Sequence, residues 1–178
     1  MKSWISLLIV TLLLSVAGGG CKRKKTIRVE TIEEDAASTL ASVVHVADPQ
    51  LRQQLLAGWY DVEQNAWRWT AGKFSVLLRP PHGASEKGAM LQLKFALPEP
   101  VIAKVKSVTI TASINGVALP PETFRQTGEF TFSREVPAKN LQGDAVTVEF
   151  VLDKFLPSGS VDSRELGLVA SMVGLEPK

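Results

Sequence analysis

The feature that most constrains this chain is a hydrophobic period of two that returns along most of its length. In residues 107–114 the even positions are Val108, Ile110, Ala112 and Ile114, while the odd positions are Ser107, Thr109, Thr111 and Ser113. The same alternation puts Leu91, Leu93, Phe95 and Leu97 on one side of residues 90–97, and Val146, Val148, Phe150 and Leu152 on one side of residues 145–153. Shorter runs repeat it at Phe74, Val76 and Leu78, at Phe130 and Phe132, and at Leu166, Leu168, Ala170 and Met172. Successive side chains of a strand point to opposite faces, so each run reads as a strand with one buried and one wetter face. Burying a large apolar side chain stabilises by about 1.5–3 kcal/mol, and each of these faces gains that only against a partner layer.

Turn chemistry separates the runs: Arg79-Pro80-Pro81-His82-Gly83, Pro98-Glu99-Pro100, Asn115-Gly116, Pro120-Pro121, Gln142-Gly143-Asp144 and Pro157-Ser158-Gly159. Asn-Gly is the strongest hairpin signal among them, because the type I′ two-residue hairpin turn needs positive φ at both central positions. Many strands, short turns and almost no helix predict an all-β fold, an antiparallel β-sandwich of jelly-roll type. A first strand is expected near residues 42–46. One short helix is expected near residues 48–57, with Asp48 as N-cap, Pro49 at the first position, Leu51, Leu55 and Leu56 at helical spacing, and Gly58 as the stop.

The N-terminus follows a different logic. Met1 and Lys2 supply positive charge, Ile5 to Ala17 are almost entirely apolar, and Gly18-Gly19-Gly20 precede Cys21, the only cysteine. That is the layout of an export signal, too short and too glycine-weakened at its end for a retained span of about 20 apolar residues. Small residues directly before a lone cysteine resemble the lipobox of bacterial lipoproteins, although Gly18 stands where that family usually has Leu. The resemblance implies cleavage before Cys21 and lipid on its thiol; ordinary cleavage near Ala17 and an uncleaved anchor are the competing readings. An exported chain would otherwise carry an unpaired thiol into an oxidising compartment. The expected organisation is a lipoprotein signal peptide over residues 1–20, a lipidated and charged tether over 21–40, and a β-sandwich domain over 41–178. The expected location is the cell envelope, anchored to membrane lipid through Cys21. An outer membrane is favoured where the cell has one, since Lys22 rather than Asp follows the cysteine.

Charge narrows the partners. The chain has 20 basic and 18 acidic side chains, and four of the basic ones are gathered in Lys22-Arg23-Lys24-Lys25, leaving the body neutral or slightly acidic. A nucleic-acid partner, which needs a basic face on the folded domain, is therefore not expected. The basic cluster reads as a solvated tether, or as a contact with anionic headgroups.

Working groups for catalysis are sparse. His45 and His82 are the only histidines, no H-E-x-x-H, G-x-S-x-G or phosphate-cradling glycine motif is present, and Cys21 is taken by the anchor. Asp61 and Glu63 could in principle serve a glycosidase, but solvated acids are common on surfaces. No catalytic residue, metal site or cofactor is expected, and the chain reads as a non-enzyme.

The densest unusual feature is Gly58-Trp59-Tyr60-Asp61-Val62-Glu63, followed by Trp67-Arg68-Trp69-Thr70. Aromatic platforms beside charged groups suit a sugar ring, whose C–H face stacks while its hydroxyls meet polar partners. Trp67 and Trp69 share one strand face and are expected in the core, with Arg68 and Thr70 on the other side. Trp59 and Tyr60 are neighbours on opposite faces, so one is expected buried and the other available. The candidate ligand-binding residues are Trp59, Tyr60, Glu63, Arg68 and Arg164. The Arg164-Glu165 pair, in Asp162-Ser163-Arg164-Glu165-Leu166-Gly167, can equally pair with Glu63 or Arg68 and tie the chain's two ends together.

G-W-Y-x-x-E, W-R-W-T and the terminal R-E-L-G-L-x-x-x-x-x-G-L, spanning Leu55 to Leu175, resemble a pattern found in bacterial lipoproteins. They are also similar to small β-sandwich modules appended to glycosyltransferases and methyltransferases that act on cell-surface glycans. That resemblance implies a carbohydrate-binding-like module of galactose-binding-like or jelly-roll type, here without a catalytic partner in the same chain. The expected function is a membrane-anchored envelope lipoprotein whose non-catalytic sandwich binds glycan or another surface ligand. The alternative is a structural or protein-interaction lipoprotein with no small-ligand site.

Overall fold

The computed structural model describes residues 40–178. The export segment, Cys21 and the charged tether as far as residue 39 lie outside the described residues. Ten strands form one antiparallel sheet: β1 (Val43–His45), β2 (Leu55–Glu63), β3 (Trp67–Leu78), β4 (Ala89–Leu97), β5 (Val108–Ile114), β6 (Val117–Ala118), β7 (Glu122–Phe124), β8 (Gly128–Val136), β9 (Val146–Leu152) and β10 (Val169–Pro177). Their order is β6-β5-β9-β3-β10-β4-β8, with β1 beside β10, β2 beside β3 and β7 beside β5.

The path through β3 explains how one sheet makes a sandwich. Its N-terminal end pairs with β10 (Arg68 with Ala170, Trp69 with Val169), and its C-terminal part, Lys73 to Leu78, pairs with β9. Strand β2 runs along the other edge of both parts. The sheet therefore forks at Gly72, sending β10-β4-β8 into one layer and β9-β5 with its short partners into the other. Aromatic contacts between strands far apart in the path show the layers facing each other. Phe132 of β8 meets Phe150 of β9 edge-on at 6.3 Å, and Phe95 of β4 meets Phe124 of β7 at 5.0 Å. The alternating faces predicted for β3, β4, β5 and β9 are the buried ones, with Phe74, Val76, Leu91, Leu93, Ile110, Val148 and Phe150 fully enclosed.

The all-β sandwich is thus the observed architecture, with differences at its helices. The segment after Asp48 is a 3-10 helix over Pro49–Gln54, capped by Asp48, whose Oδ1 accepts the Gln50 N–H at 2.8 Å. It ends earlier than expected because Gln54 is buried and tied down. Its side chain accepts from Ala41 N at 2.9 Å and donates to the Ala41 and Leu77 carbonyls at 3.0 and 2.6 Å. Pairing with β3 then starts at once, Leu55 against Val76. Gly58 is not a helix stop but a strand residue at a register shift, with φ +74°, and a Cβ there would overlap the Lys73 carbonyl oxygen. The Pro98-Glu99-Pro100 turn opens a short helix, Glu99–Val105, which buries Val101. Proline is tolerated in a first helical turn, where its missing N–H would have no partner. A second small helix, Ala84–Lys87, packs beside the 3-10 turn Ala138–Asn140.

Candidate functional site

Period two fixes which side of β3 is wet. Arg68, Thr70, Phe74, Val76 and Leu78 are all buried, so Trp67 and Trp69 fall on the outer face and are half-buried. Trp69 still packs against the core from there, so the expectation that both tryptophans close the core is corrected for Trp67. Arg68 is 6% exposed. Its guanidinium donates from Nε to the Val46 carbonyl at 2.6 Å and from Nη1 to the Tyr60 carbonyl at 2.7 Å, so it ties β2 and the end of β1 to β3 rather than presenting charge to a ligand. Burial, helped by the nearby Arg52, lowers its pKa.

The remaining candidates also have structural work. Trp59 is half-buried, lies edge-on to Phe74 at 5.1 Å, and donates its indole N–H to the Ser75 carbonyl at 2.8 Å. Tyr60, Glu63 and Arg164 do come together. The Arg164 guanidinium lies 5.2 Å from the centre of the Tyr60 ring, pairs with Glu63 at 3.0 Å, and grips Asp162 at 2.9 Å. These bonds, Asp162 first and Glu63 second, raise the Arg164 pKa, while the Arg164 side chain and backbone N–H hold Asp162 down to about 2. The neighbouring Glu165 carboxylate accepts the Gly72 N–H at 2.6 Å, which neither β9 nor β10 satisfies at the fork. Gly167 donates to the Thr70 carbonyl and Thr70 to that of Leu168. The R-E-L-G-L segment therefore plugs the fork, and Gly72 leaves room for the Phe155 ring that packs on it.

The open feature lies across the outer face of β3, β10, β4 and β8, where a groove of about 440 Å³ runs beside Trp67. Register places its side chains in two rows. Trp69 pairs with Val169, Val169 with Ala96 and Ala96 with Glu129. One step along the strands, Trp67, Ser171, Lys94 and Thr131 line the same groove, Lys94 being paired with Thr131. The middle of the first row is small and apolar, so Trp67 on β3 and Glu129 with Thr131 on β8 stand as opposite walls. Three strand spacings separate those walls, roughly 14 Å. Trp67 and Trp69 brace each other edge-on at 6.4 Å. Lys94 and Glu129 have no ion-pair partner among the described residues. Among the described residues no group of three or more His, Cys, Asp or Glu is placed to hold a metal ion.

Lys94, Ser171, Thr131 and Glu129 were not singled out from sequence. They come from three strands, and only the pairing register unites them. One signal was present: the even phase of Phe74, Val76 and Leu78 extends back to Thr70 and Arg68 and so turns both tryptophans outward.

No family model matches the sequence, and no curated protein matches it. Among solved structures, the chain is similar to CBM51-2 in complex with GlcNAc and INT domains from Clostridium perfringens ZmpB, with 11% identity, a TM-score of 0.36, and coverage of 76% of this chain and 28% of that one. A structure described as "CBM4 structure and function" matches with 12% identity and a TM-score of 0.36, covering 76% and 85%. The secreted serine protease VesC from Vibrio cholerae matches with 16% identity and a TM-score of 0.37, covering 78% and 28%. Similarity at this level carries no inference about ligand or activity.

Proposed function

We propose that this chain is a lipid-anchored envelope lipoprotein whose non-catalytic sandwich binds glycan in the groove beside Trp67. The observation that carries the reading is the groove itself, with the half-exposed Trp67 indole on one wall, Lys94 and Glu129 without ion-pair partners among the described residues, and the Ser171 and Thr131 hydroxyls beside them. A pyranose has an apolar C–H face and a rim of hydroxyls, and an aromatic wall facing Glu129, Thr131 and Ser171 complements both. The Tyr60 cluster, whose charges are spent on one another, supports a structural role instead. The anchor reading rests on the signal-like N-terminus and the lone Cys21; two or more acyl chains, at about 0.8 kcal/mol per buried methylene, hold a protein stably on a membrane. The tether joins the fold where Leu175 N donates to the Ser42 carbonyl, in the C-terminal half of β10, whereas the groove uses Val169 and Ser171 nearer its start. That placement suits a groove presented away from the anchored end.

Two measurements test the reading. Palmitate labelling in cells should mark the chain and disappear in Cys21→Ser, which should leave the membrane fraction; unchanged labelling would remove the anchor. The detergent-purified full chain should be retained on an array of envelope glycans. Retention on no glycan, with a protein partner captured instead, would favour a protein-interaction lipoprotein.

A further inference from the structure

The two rows of the groove differ in chemistry, and the difference selects a ligand class within the glycan reading on which this inference rests. In the first row, Val169 and Ala96 make a flat apolar floor between Trp69 and Glu129. In the second, Lys94 is paired with Thr131 on one side and with Met172 on the other, and Ser171, at the bulge before Met172, reaches the Lys94 carbonyl. Every polar side chain of that second row can donate a hydrogen bond: one ammonium and two hydroxyls. The Ser171 hydroxyl now makes only a long bond, 3.3 Å, to the Lys94 carbonyl and can turn toward a ligand.

The only anion in the groove, Glu129, stands at the opposite wall in the other row, two residues along β8 from Thr131. It accepts from hydroxyls and repels a second carboxylate from its own row. Lys94 and Glu129 lie on adjacent strands in diagonal positions, about 7–8 Å apart at Cα for such neighbours. A ring lying on the first row thus has Glu129 at one side and an all-donor row beyond it. Placing a carboxylate over Lys94, Ser171 and Thr131 satisfies three donors at once, and charge-assisted hydrogen bonds of this kind are roughly twice as strong as neutral ones.

We propose that the groove selects an acidic glycan, one whose pyranose rings carry carboxylates as in uronic acids. The ring stacks against the tryptophan wall and the first row, Glu129 takes its hydroxyls, and Lys94 with the two flanking hydroxyls takes the carboxylate.

The test uses the full chain in detergent and an array of uronic-acid oligosaccharides, each printed beside its carboxyl-reduced counterpart, in which the carboxylate has become a primary alcohol. The expected result is about tenfold tighter binding to the acidic member of a pair, the scale of a hydrogen bond to a charged group. That preference should fall to near parity in Lys94→Met, return in Lys94→Arg, and weaken as sodium chloride is raised. Equal binding of both members, or a preference that survives Lys94→Met, overturns the carboxylate assignment and leaves glycan binding standing. Retention of neither member, nor of any neutral oligosaccharide, overturns the glycan reading and this inference with it.

Discussion

The groove beside Trp67 and the cluster around Tyr60 are built from the same kinds of residue, aromatics with acids and bases, yet they are in opposite states. At the Tyr60 ring the charges are matched to one another: Arg164 holds Glu63, Asp162 and the ring face. In the groove, Lys94 and Glu129 hold nothing among the described residues. Composition alone marks both as binding surfaces. What separates them is whether folding has already supplied the partners. Burial sharpens the same contrast, because the wettest-looking member of W-R-W-T, Arg68, is enclosed together with Thr70, while the tryptophans between and before them stay half-buried on the outer face.

The comparison breaks if the enclosed residues prove dispensable. The largest effect is expected from Arg68→Ala, which leaves the Val46 and Tyr60 carbonyls without their donor and empties a core position. A loss of about 3 kcal/mol, read by chemical denaturation, is expected, with binding unchanged in the folded fraction. A smaller loss, about 1 kcal/mol, should follow Arg164→Ala, since its partners are partly exposed and screened. Glycan retention should survive that change, and its loss would move the binding site to the Tyr60 cluster. The smallest effect is a pH dependence at Asp162. Its folded pKa is depressed to about 2, so its bond to Arg164 adds stability above the ordinary carboxylate value, and that contribution is lost as pH falls from about 4 through 2. Asp162→Asn should flatten that part of the curve of unfolding midpoint against pH, measured from pH 5 to 2. An unaltered slope would show that the pairing adds nothing in solution.

The layers of the sandwich were legible because the apolar alternations in β4, β5 and β9 are unbroken, and a one-residue slip would have exposed every large side chain. The helix at Pro49 was legible in its cap and not in its end. Gln54 stops it through bonds to Ala41 and Leu77, which lie 13 and 23 residues away. Of the candidate site, the Arg164–Glu63 tie was foreseen as one alternative, since the two lie in motifs near opposite ends of the domain. The faces of Trp67 and Arg68 run against side-chain hydropathy and follow the phase of the strand they belong to. Lys94, Glu129, Thr131 and Ser171 were out of reach, since strand order decides their neighbours and no local pattern encodes it.

The central claim is that the outer tryptophan wall binds and the Tyr60 cluster only supports. Its most direct test measures melting temperature and glycan retention together for Trp67→Ala and Tyr60→Ala. The expected result is that Trp67→Ala abolishes retention with a melting temperature within a few degrees of the parent, while Tyr60→Ala lowers the melting temperature and keeps retention. Retention kept by Trp67→Ala and lost in Tyr60→Ala would contradict the account.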